Sequence, residues 1–426
     1  MTVSTERSGL PAAGVLASDK VYRDGTHRAL HPEHTWRRIK PHFEALGITR
    51  VAVITGLDVV GIPVVMVMRP NARSLSVSQG KGIDLCCARV SGAMESIEQY
   101  CAEYLDLPLR YTSWTELSRR HLALSPELVP CLERENVEQR PLLWVEGMRC
   151  LDGAPCWLPY GLVHLDLRRP LAPGSEIFPL SSNGLASGNT RSEALVHAAL
   201  EVIERDAWAR FMELGEPERE RRRLDLGSVS DARAAELLGK LQRAGLKVSV
   251  WDLSLELGVA CFLCQVVEEE SDWAFQTGRA EGLGCHTDRG VALARALCEA
   301  AQSRLCAISG SRDDMTRASV ARVRAPLAIR RAQVDLGGAG QLGRSFAAVP
   351  THEFGSFELE FQWLTSGLAR WLGAQLFAVE LPSHGVPVHV VRVVASGLRA
   401  PHFLSRRPPR ASSASIASAA LAGARA

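Results

Sequence analysis

Long apolar runs are missing from this sequence. The most apolar stretch, Val59–Met68, is interrupted by Pro63 and reaches only about half the length of a membrane span. Met1–Lys20 shows no basic segment followed by an apolar one, so no secretory signal is read there. The expectation is a soluble, cytoplasmic protein that needs no membrane. One-signed charge is missing as well. Lys and Arg number 49 against 47 Asp and Glu, a formal net of +2, and so weak a field selects no nucleic acid. The common nucleotide and hydrolase signatures are absent too: there is no G-x-x-x-x-G-K-[ST], no G-x-G-x-x-G after a strand and no H-E-x-x-H. No convincing Ser-His-Asp triad is offered. Any nucleotide site here is therefore not a P-loop.

What is present supports a large core: 426 residues, 46% of them hydrophobic. The 11 cysteines are odd in number and scattered, a poor disulfide framework but ordinary in a reducing compartment. Cys261 and Cys264 form a single C-x-x-C within apolar Val259–Val266, which reads as a strand rather than a zinc site. Strands are expected at Arg50–Thr55 and Ile62–Met68, and a hairpin at Leu142–Cys150 and Cys156–Pro159 around Asp152-Gly153. Three further strands are expected at Lys247–Leu253, Val259–Val267 and Trp273–Thr277, and two more at Gln375–Leu381 and Val386–Val394. Helices are expected at Ile83–Leu105, Arg191–Leu214, Ala232–Ala244, Asp288–Ile308 and Phe357–Leu372. Strand runs broken by long helices indicate a mixed α/β, or α+β, fold. No repeat of fixed period is visible. The chain divides into an N-terminal extension (1–19), one continuous unit (20–400) and an Ala/Ser/Arg tail (401–426) expected to be disordered.

Three helices carry acids in register. Ser91, Glu95 and Glu98 share one face, as do Glu193, Glu201 and Glu204, and Arg295, Glu299 and Gln302 repeat the pattern. The flanks of the first two are apolar or small, which implies burial, and unpaired buried carboxylates are very costly. Mg²⁺ suits such hard oxygen ligands and commonly bridges carboxylates to nucleotide phosphates. One Glu-x-x-Glu alone reads as a solvated helix stripe; two on apolar helices favour a site. Glu193 also fits a capping box with Thr190, and spacing alone leaves that as good a reading as ligation. His197, four residues after Glu193, is the one histidine placed for a carboxylate–histidine metal site, but its position reads as solvated. Ser181–Thr190, a Gly/Ser/Asn loop opening onto a helix, is a candidate phosphate cradle, and Gln79–Gly82 is a second one bearing Lys81.

Asn183-Gly184-Leu185-Ala186-Ser187-Gly188-Asn189-Thr190 with Glu193-Ala194 and Glu201-Val202-Ile203-Glu204-Arg205-Asp206 closely resembles the signature of YcaO proteins. Gly80-Lys81-Gly82 with Ser91 and Glu95-Ser96-Ile97-Glu98 resembles their earlier motif. Gly284-Cys285-His286 with Arg295 to Arg304 resembles a third. The resemblance implies an unusual α/β fold with long carboxylate-bearing helices that binds ATP without a P-loop, with Mg²⁺ held by Glu95, Glu98, Glu193, Glu201, Glu204 and Glu299. It implies nucleotide contacts from Lys81, Ser91, Asn189, Arg205 and Arg295, the two arginines also being catalytic. The implied reaction is phosphorylation of a peptide amide oxygen, which turns a poor electrophile into a good one.

Tyr22-Arg23-Asp24-Gly25-Thr26-His27-Arg28, Gly47-Ile48-Thr49-Arg50 and Thr55-Gly56-Leu57-Asp58 resemble the members that work beside a TfuA partner. That branch implies a backbone thioamide product in a modified ribosomal peptide, with sulfur delivered from outside. Cys86, Cys87 and Cys298 stand beside carboxylates expected to raise their pKa and blunt them as sulfur carriers. The implied partners are a precursor peptide or protein and a TfuA-like protein, and a homodimer is compatible with them. Azoline-forming relatives usually end in alternating prolines, which Pro408-Pro409 does not reproduce, so a cyclodehydratase is the alternative. A non-catalytic scaffold for ATP or a leader peptide is a further one. Arg399 stands where relatives usually carry an acid.

Overall fold

The structure, a computed structural model, describes residues 18–269, 276–313, 315–336 and 343–399. Most of the N-terminal extension and the whole tail 401–426 lie outside the described residues. In chain order, helix α1 (Pro32–Ile39) precedes strands β1 (Arg50–Val53), β2 (Val64–Met68) and β3 (Val77–Lys81). Helix α2 (Leu85–Glu103), β4 (Leu109–Ser113), the short α3 (Trp114–Leu117), β5 (Pro141–Arg149), β6 (Pro155–Pro159) and β7 (Leu185–Gly188) follow. Then come α4 (Arg191–Met212), α5 (Glu216–Arg221), α6 (Ala232–Arg243), β8 (Leu246–Asp252), β9 (Ala260–Glu268) and β10 (Ala280–His286). Helices α7 (Arg289–Ser309), α8 (Arg317–Val323), α9 (Pro326–Leu336) and α10 (Phe357–Leu372) lead to β11 (Gln375–Leu381) and β12 (His389–Ser396). None of the described helices is long and apolar enough to cross a membrane.

The strands make three antiparallel sheets: β1-β2-β3, β10-β9-β8, and the path β4-β5-β11-β12-β7 with β6 on β5. Each sheet supplies one strand that runs through a short turn into a carboxylate helix: β3 into α2, β7 into α4, β10 into α7. Each turn ends in a capping side chain, Asp84, Thr190 or Asp288, which accepts from backbone N–H groups of the first helical turn. The strand–helix unit is thus repeated three times, although no sequence period betrays it. The repetition closes on itself, because α2 also touches β7, α4 touches β10 and α7 touches β3. Three helices backed by three sheets converge on one centre.

Glycines allow this closeness. A Cβ on Gly80 would stand 2.0 Å from the Ala88 carbonyl oxygen on α2, and one on Gly284 2.1 Å from that of Ala292 on α7. Any side chain there would push helix and strand apart.

Several expectations change. Gln79–Lys81 is the end of strand β3 and not a loop, and the Ser181–Thr190 segment contains strand β7. The third strand of the β8 sheet is Ala280–His286. Of the expected Trp273–Thr277, residues 273–275 lie outside the described residues and Gln276 and Thr277 are not in a strand. Gly282 and Gly284 mute the strand signal of β10 while allowing α7 to approach it. Cys261 and Cys264 are both buried in β9. Three residues apart on a strand, they point to opposite faces, which rules out joint chelation from that strand.

Candidate functional site

The facing sides of α2, α4 and α7 enclose a cavity of about 620 Å³. Lys81, Ser91, Glu95, Glu98, Asn189, Glu193, Glu201, Glu204, Arg205, Arg295 and Glu299 all line it. Every site residue named from the sequence is therefore brought to one place, by three separate helices and the strands that feed them.

Each acid has its own support. Glu98 accepts from the Ser187 N–H at 2.8 Å and from its hydroxyl at 2.6 Å. Glu193 accepts from the Asn189 N–H at 2.9 Å, while its own N–H donates to the Thr190 hydroxyl at 3.2 Å. Half of the capping box is present; the other half reaches one residue further back than expected. Lys81 sits 2.7 Å from Glu299, Gln99 donates to Glu95 at 3.4 Å, and Arg205 lies 3.8 Å from Glu204.

Burial dominates the electrostatics. It pushes Glu95 and Glu201 up to about 7 and Glu98 up to about 8, against the pull of Lys81, of Arg205 and of Ser187 respectively. Burial and Glu299 raise Glu204 despite Arg205. For Glu299 itself burial raises, but Lys81 and Arg205 outweigh it and the net shift is downward. The cavity wall thus holds more acid than its cations neutralise.

No group of three or more His, Cys, Asp or Glu among the described residues is arranged to hold a metal ion. Like-charged carboxylates in a buried wall separate onto neighbouring donors, as Glu98, Glu193 and Glu299 do here. The donor set nevertheless fits Mg²⁺ and a polyphosphate: hard oxygens with raised pKa on one side, arginine and lysine on the other. Gln79 Nε2, His197 Nδ1 and Arg295 Nε are buried without a hydrogen-bond partner and belong to residues lining the cavity. Such orphaned polar groups are what a polar ligand satisfies.

His197 departs from expectation. It is not solvated but lines the cavity, its Nε2 3.4 Å from Arg295 Nη1. Burial and then Arg295 hold its pKa well below the usual range. The thiols behave in the expected direction for a different reason. Burial first, and Asp84 second, pushes Cys87 up to about 12, and burial alone takes Cys298 there against the pull of Lys81.

Three arginines were missed, and one of them, Arg312, lines the cavity and pulls Glu95 down against its burial. Arg28 lines the cavity with Nη1 3.7 Å from Glu193. Gly25-Thr26-His27-Arg28 had marked it as part of a branch motif, not as a wall of the site. Arg392 on β12 is buried, donates to the Leu162 and Ser181 carbonyls at 2.8 and 2.5 Å, and leaves Nη1 unpartnered. Burial lowers it to about 10 while Glu201 opposes. A lone arginine in an apolar strand was the available signal. Arg399 is no site residue in this arrangement, since it pairs with Glu213 at the end of α4.

Several known proteins resemble this chain. An uncharacterized protein in the tfuA 3′ region of Rhizobium leguminosarum bv. trifolii is 36% identical over 87% of this chain and 88% of its own length. An uncharacterized protein of Mycobacterium tuberculosis H37Rv is 34% identical over 70% of this chain and 66% of its own. Among solved structures, a heterocyclase in complex with substrate and cofactor superimposes with a TM-score of 0.72 at 20% identity over 91% of this chain. The chain spans 54% of that heterocyclase. YcaO from Methanopyrus kandleri, bound with AMPPCP and Mg²⁺, gives 0.67 at 24% identity, covering 88% of this chain and 93% of that one. The profile described as YcaO cyclodehydratase, ATP- and Mg²⁺-binding, matches residues 79–399, which contain the end of β3, all of α2, α4 and α7, and all the carboxylates of the cavity. Three carboxylate helices around one cavity, a fold shared with solved YcaO structures and a profile spanning well over half of the sequence place this chain in the YcaO family, whose cofactors are ATP and Mg²⁺.

Proposed function

We propose that the protein uses ATP to phosphorylate a backbone amide oxygen of a precursor peptide, and that the product is a thioamide whose sulfur comes from outside the peptide. The observation that carries the thioamide branch is the relative encoded in a tfuA 3′ region, 36% identical over most of both chains. It supports a TfuA-like protein as the partner that delivers sulfur. Residues 20–400 form the catalytic unit in this reading.

Glu95, Glu98, Glu193, Glu201, Glu204 and Glu299 would hold Mg²⁺, which when bound neutralises triphosphate charge and orients the γ-phosphoryl group. Lys81, Ser91, Asn189, Arg205 and Arg295 would fix the phosphates, the two arginines facing the negative charge that grows during transfer. The raised carboxyls of Glu95, Glu98, Glu201 and Glu204 support a cation there. The amide oxygen attacks the γ-phosphorus, ADP departs, and sulfide then attacks the imidate carbon as phosphate leaves. One amide oxygen is exchanged for sulfur, and one ATP becomes ADP and phosphate. Cys87 and Cys298, both held as thiols at neutral pH, are poor sulfur carriers, which supports an external source.

The test mixes the enzyme and a TfuA-like partner with ATP, Mg²⁺, sulfide and a cognate peptide, read by mass spectrometry. Sulfur gain without dehydration is expected. The family description as cyclodehydratase and the heterocyclase likeness favour one second reading, azoline formation. A peptide that loses water and gains no sulfur would replace the first reading by the second, leaving amide activation in place.

A further inference from the structure

A separate surface lies at the other end of the sheet path that brings Ser187 to the cavity. Strand β4 ends that path, and its outer edge has no strand partner among the described residues. Leu109, Arg110 and Tyr111 on it are exposed, Tyr111 at 62%. Edge strands left open accept another strand unless something blunts them. Charge does part of that blunting here, and apart from one acid it is of one sign. Arg110, Arg119, Arg120 and His121 line a hollow of about 520 Å³ beside the edge.

The single acid in the hollow, Glu116, is engaged by the Thr112 hydroxyl at 2.6 Å. Arg110 is held in place, 4.5 Å above the Trp157 ring and 3.0 Å from His121 Nε2. Arg119 and Arg120, in the turn after α3, are exposed, and neither guanidinium has a carboxylate partner among the described residues. A second copy of this edge would bring like charges together and be repelled. An acidic strand would meet complementary charge on the side chains and open N–H and C=O groups on the backbone.

We infer that this edge docks an extended acidic segment of the peptide substrate, added as a strand beside β4 and remote from the amide that reacts. The inference rests on the peptide-substrate reading above, but it concerns recognition and requires no nucleotide. Alternate acidic residues would face the Arg110, Arg119 and Arg120 side, with apolar residues between them reaching Tyr111 and Leu109.

The probe is a fluorescein-labelled peptide of about ten residues, the length of a long strand, with Glu at alternate positions. Polarisation without ATP should show saturable binding that weakens as salt rises. Arg119→Glu/Arg120→Glu should weaken it at least about tenfold, and Arg119→Gln/Arg120→Gln by less. The same probe N-methylated at alternate backbone nitrogens keeps its charge but cannot pair, and should bind at least about tenfold more weakly. Equal binding by both double variants, by the methylated probe or by a Lys-for-Glu analogue would overturn the inference. Mg²⁺-ATP affinity, measured on the same variants, reports folding and the cavity independently. A failed thioamidation assay with intact probe binding would sink the activity reading alone, and the converse would sink this one.

Discussion

Glu201 faces the cavity with its pKa raised to about 7 because burial disfavours its charge. That cost is tolerable only if a cation offsets it when ligand binds. Two consequences follow from one substitution. Glu201→Gln keeps volume and removes the charge, so Mg²⁺-ATP affinity should fall at least about tenfold, or about 1.4 kcal/mol, by titration calorimetry. The ligand-free protein should unfold at an equal or higher temperature, since a buried charge has been removed. Glu95→Gln should behave alike. Unchanged affinity in both variants would remove the two acids from the site.

Histidines set a pH dependence of the opposite kind, away from the carboxylates. Burial lowers His27 and His164 to about 4. His164 is fixed by Ser175 Oγ at 2.9 Å from Nε2 and by the Asp166 N–H donating to Nδ1 at 3.2 Å. The unfolded chain protonates these rings near 6.5 and the folded chain does not, so between about 6.5 and 4 the unfolded state binds more protons. Each ring's contribution to stability is therefore lost as pH falls through that window, at no more than about 1.4 kcal/mol per pH unit, while the raised carboxylates Glu95, Glu98 and Glu201 contribute in the opposite sense. Urea denaturation of the protein and of His164→Gln from pH 7 to 4.5 isolates the ring. The two slopes should differ by about one proton, and equal slopes would show that the ring titrates normally.

At the scale of elements, the strand–helix contact decides where the acids stand. Gly284 leaves no room for a Cβ against α7, so Gly284→Ala must shift the helix or the strand. The expected cost is about 1–3 kcal/mol or more, read from the urea midpoint, with weaker Mg²⁺-ATP binding because Arg295 and Glu299 ride on α7. Gly56→Ala, with nothing within 4 Å of the added carbon, should change neither. These contacts also explain what could be read in advance. Acid spacing on α2 and α4 survives any detail of packing, because helical periodicity fixes the face. Strand β10 did not show, since Gly282 and Gly284 serve the neighbouring helix at the expense of local strand preference. For Gln79–Lys81 the glycine suggested a loop, when its actual role is close approach to α2. His197 misled for a similar reason: its polarity suggested solvent, and only the third helix turns that face into an interior wall.

At the scale of the whole molecule, the N-terminal arm ties the parts together, and nothing in its composition announced this. Ser18 binds Glu358 through its N–H at 2.7 Å and hydroxyl at 2.9 Å. Asp19 bridges to Ser356, and Asp24 pairs with Arg233 on α6 at 2.7 Å. Lys20 meets Glu360 on α10 at 2.8 Å, both side chains fully buried, and its ammonium stands 3.4 Å from His27 Nδ1. His27 in turn packs edge-on against His286 at the end of β10. The arm then folds back, Tyr22 bridging to Arg28, and delivers Arg28 to Glu193 on α4. It therefore reaches α10, the end of β10 and α4 before the first sheet strand begins. Removing one partner of a buried pair strands the other, typically at about 3–5 kcal/mol, whereas replacing both with apolar residues costs far less. Lys20→Met alone should thus destabilise by about that amount, and Lys20→Met/Glu360→Leu should recover more than half of the loss. The second readout is distant: Lys20→Met should also weaken Mg²⁺-ATP binding several-fold, because a loosened arm withdraws Arg28, and Arg28→Ala should reproduce that weakening with the Lys20–Glu360 pair intact. A Lys20→Met protein that unfolds earlier yet binds nucleotide normally would show the arm to be a clasp alone, with no share in the cavity it closes.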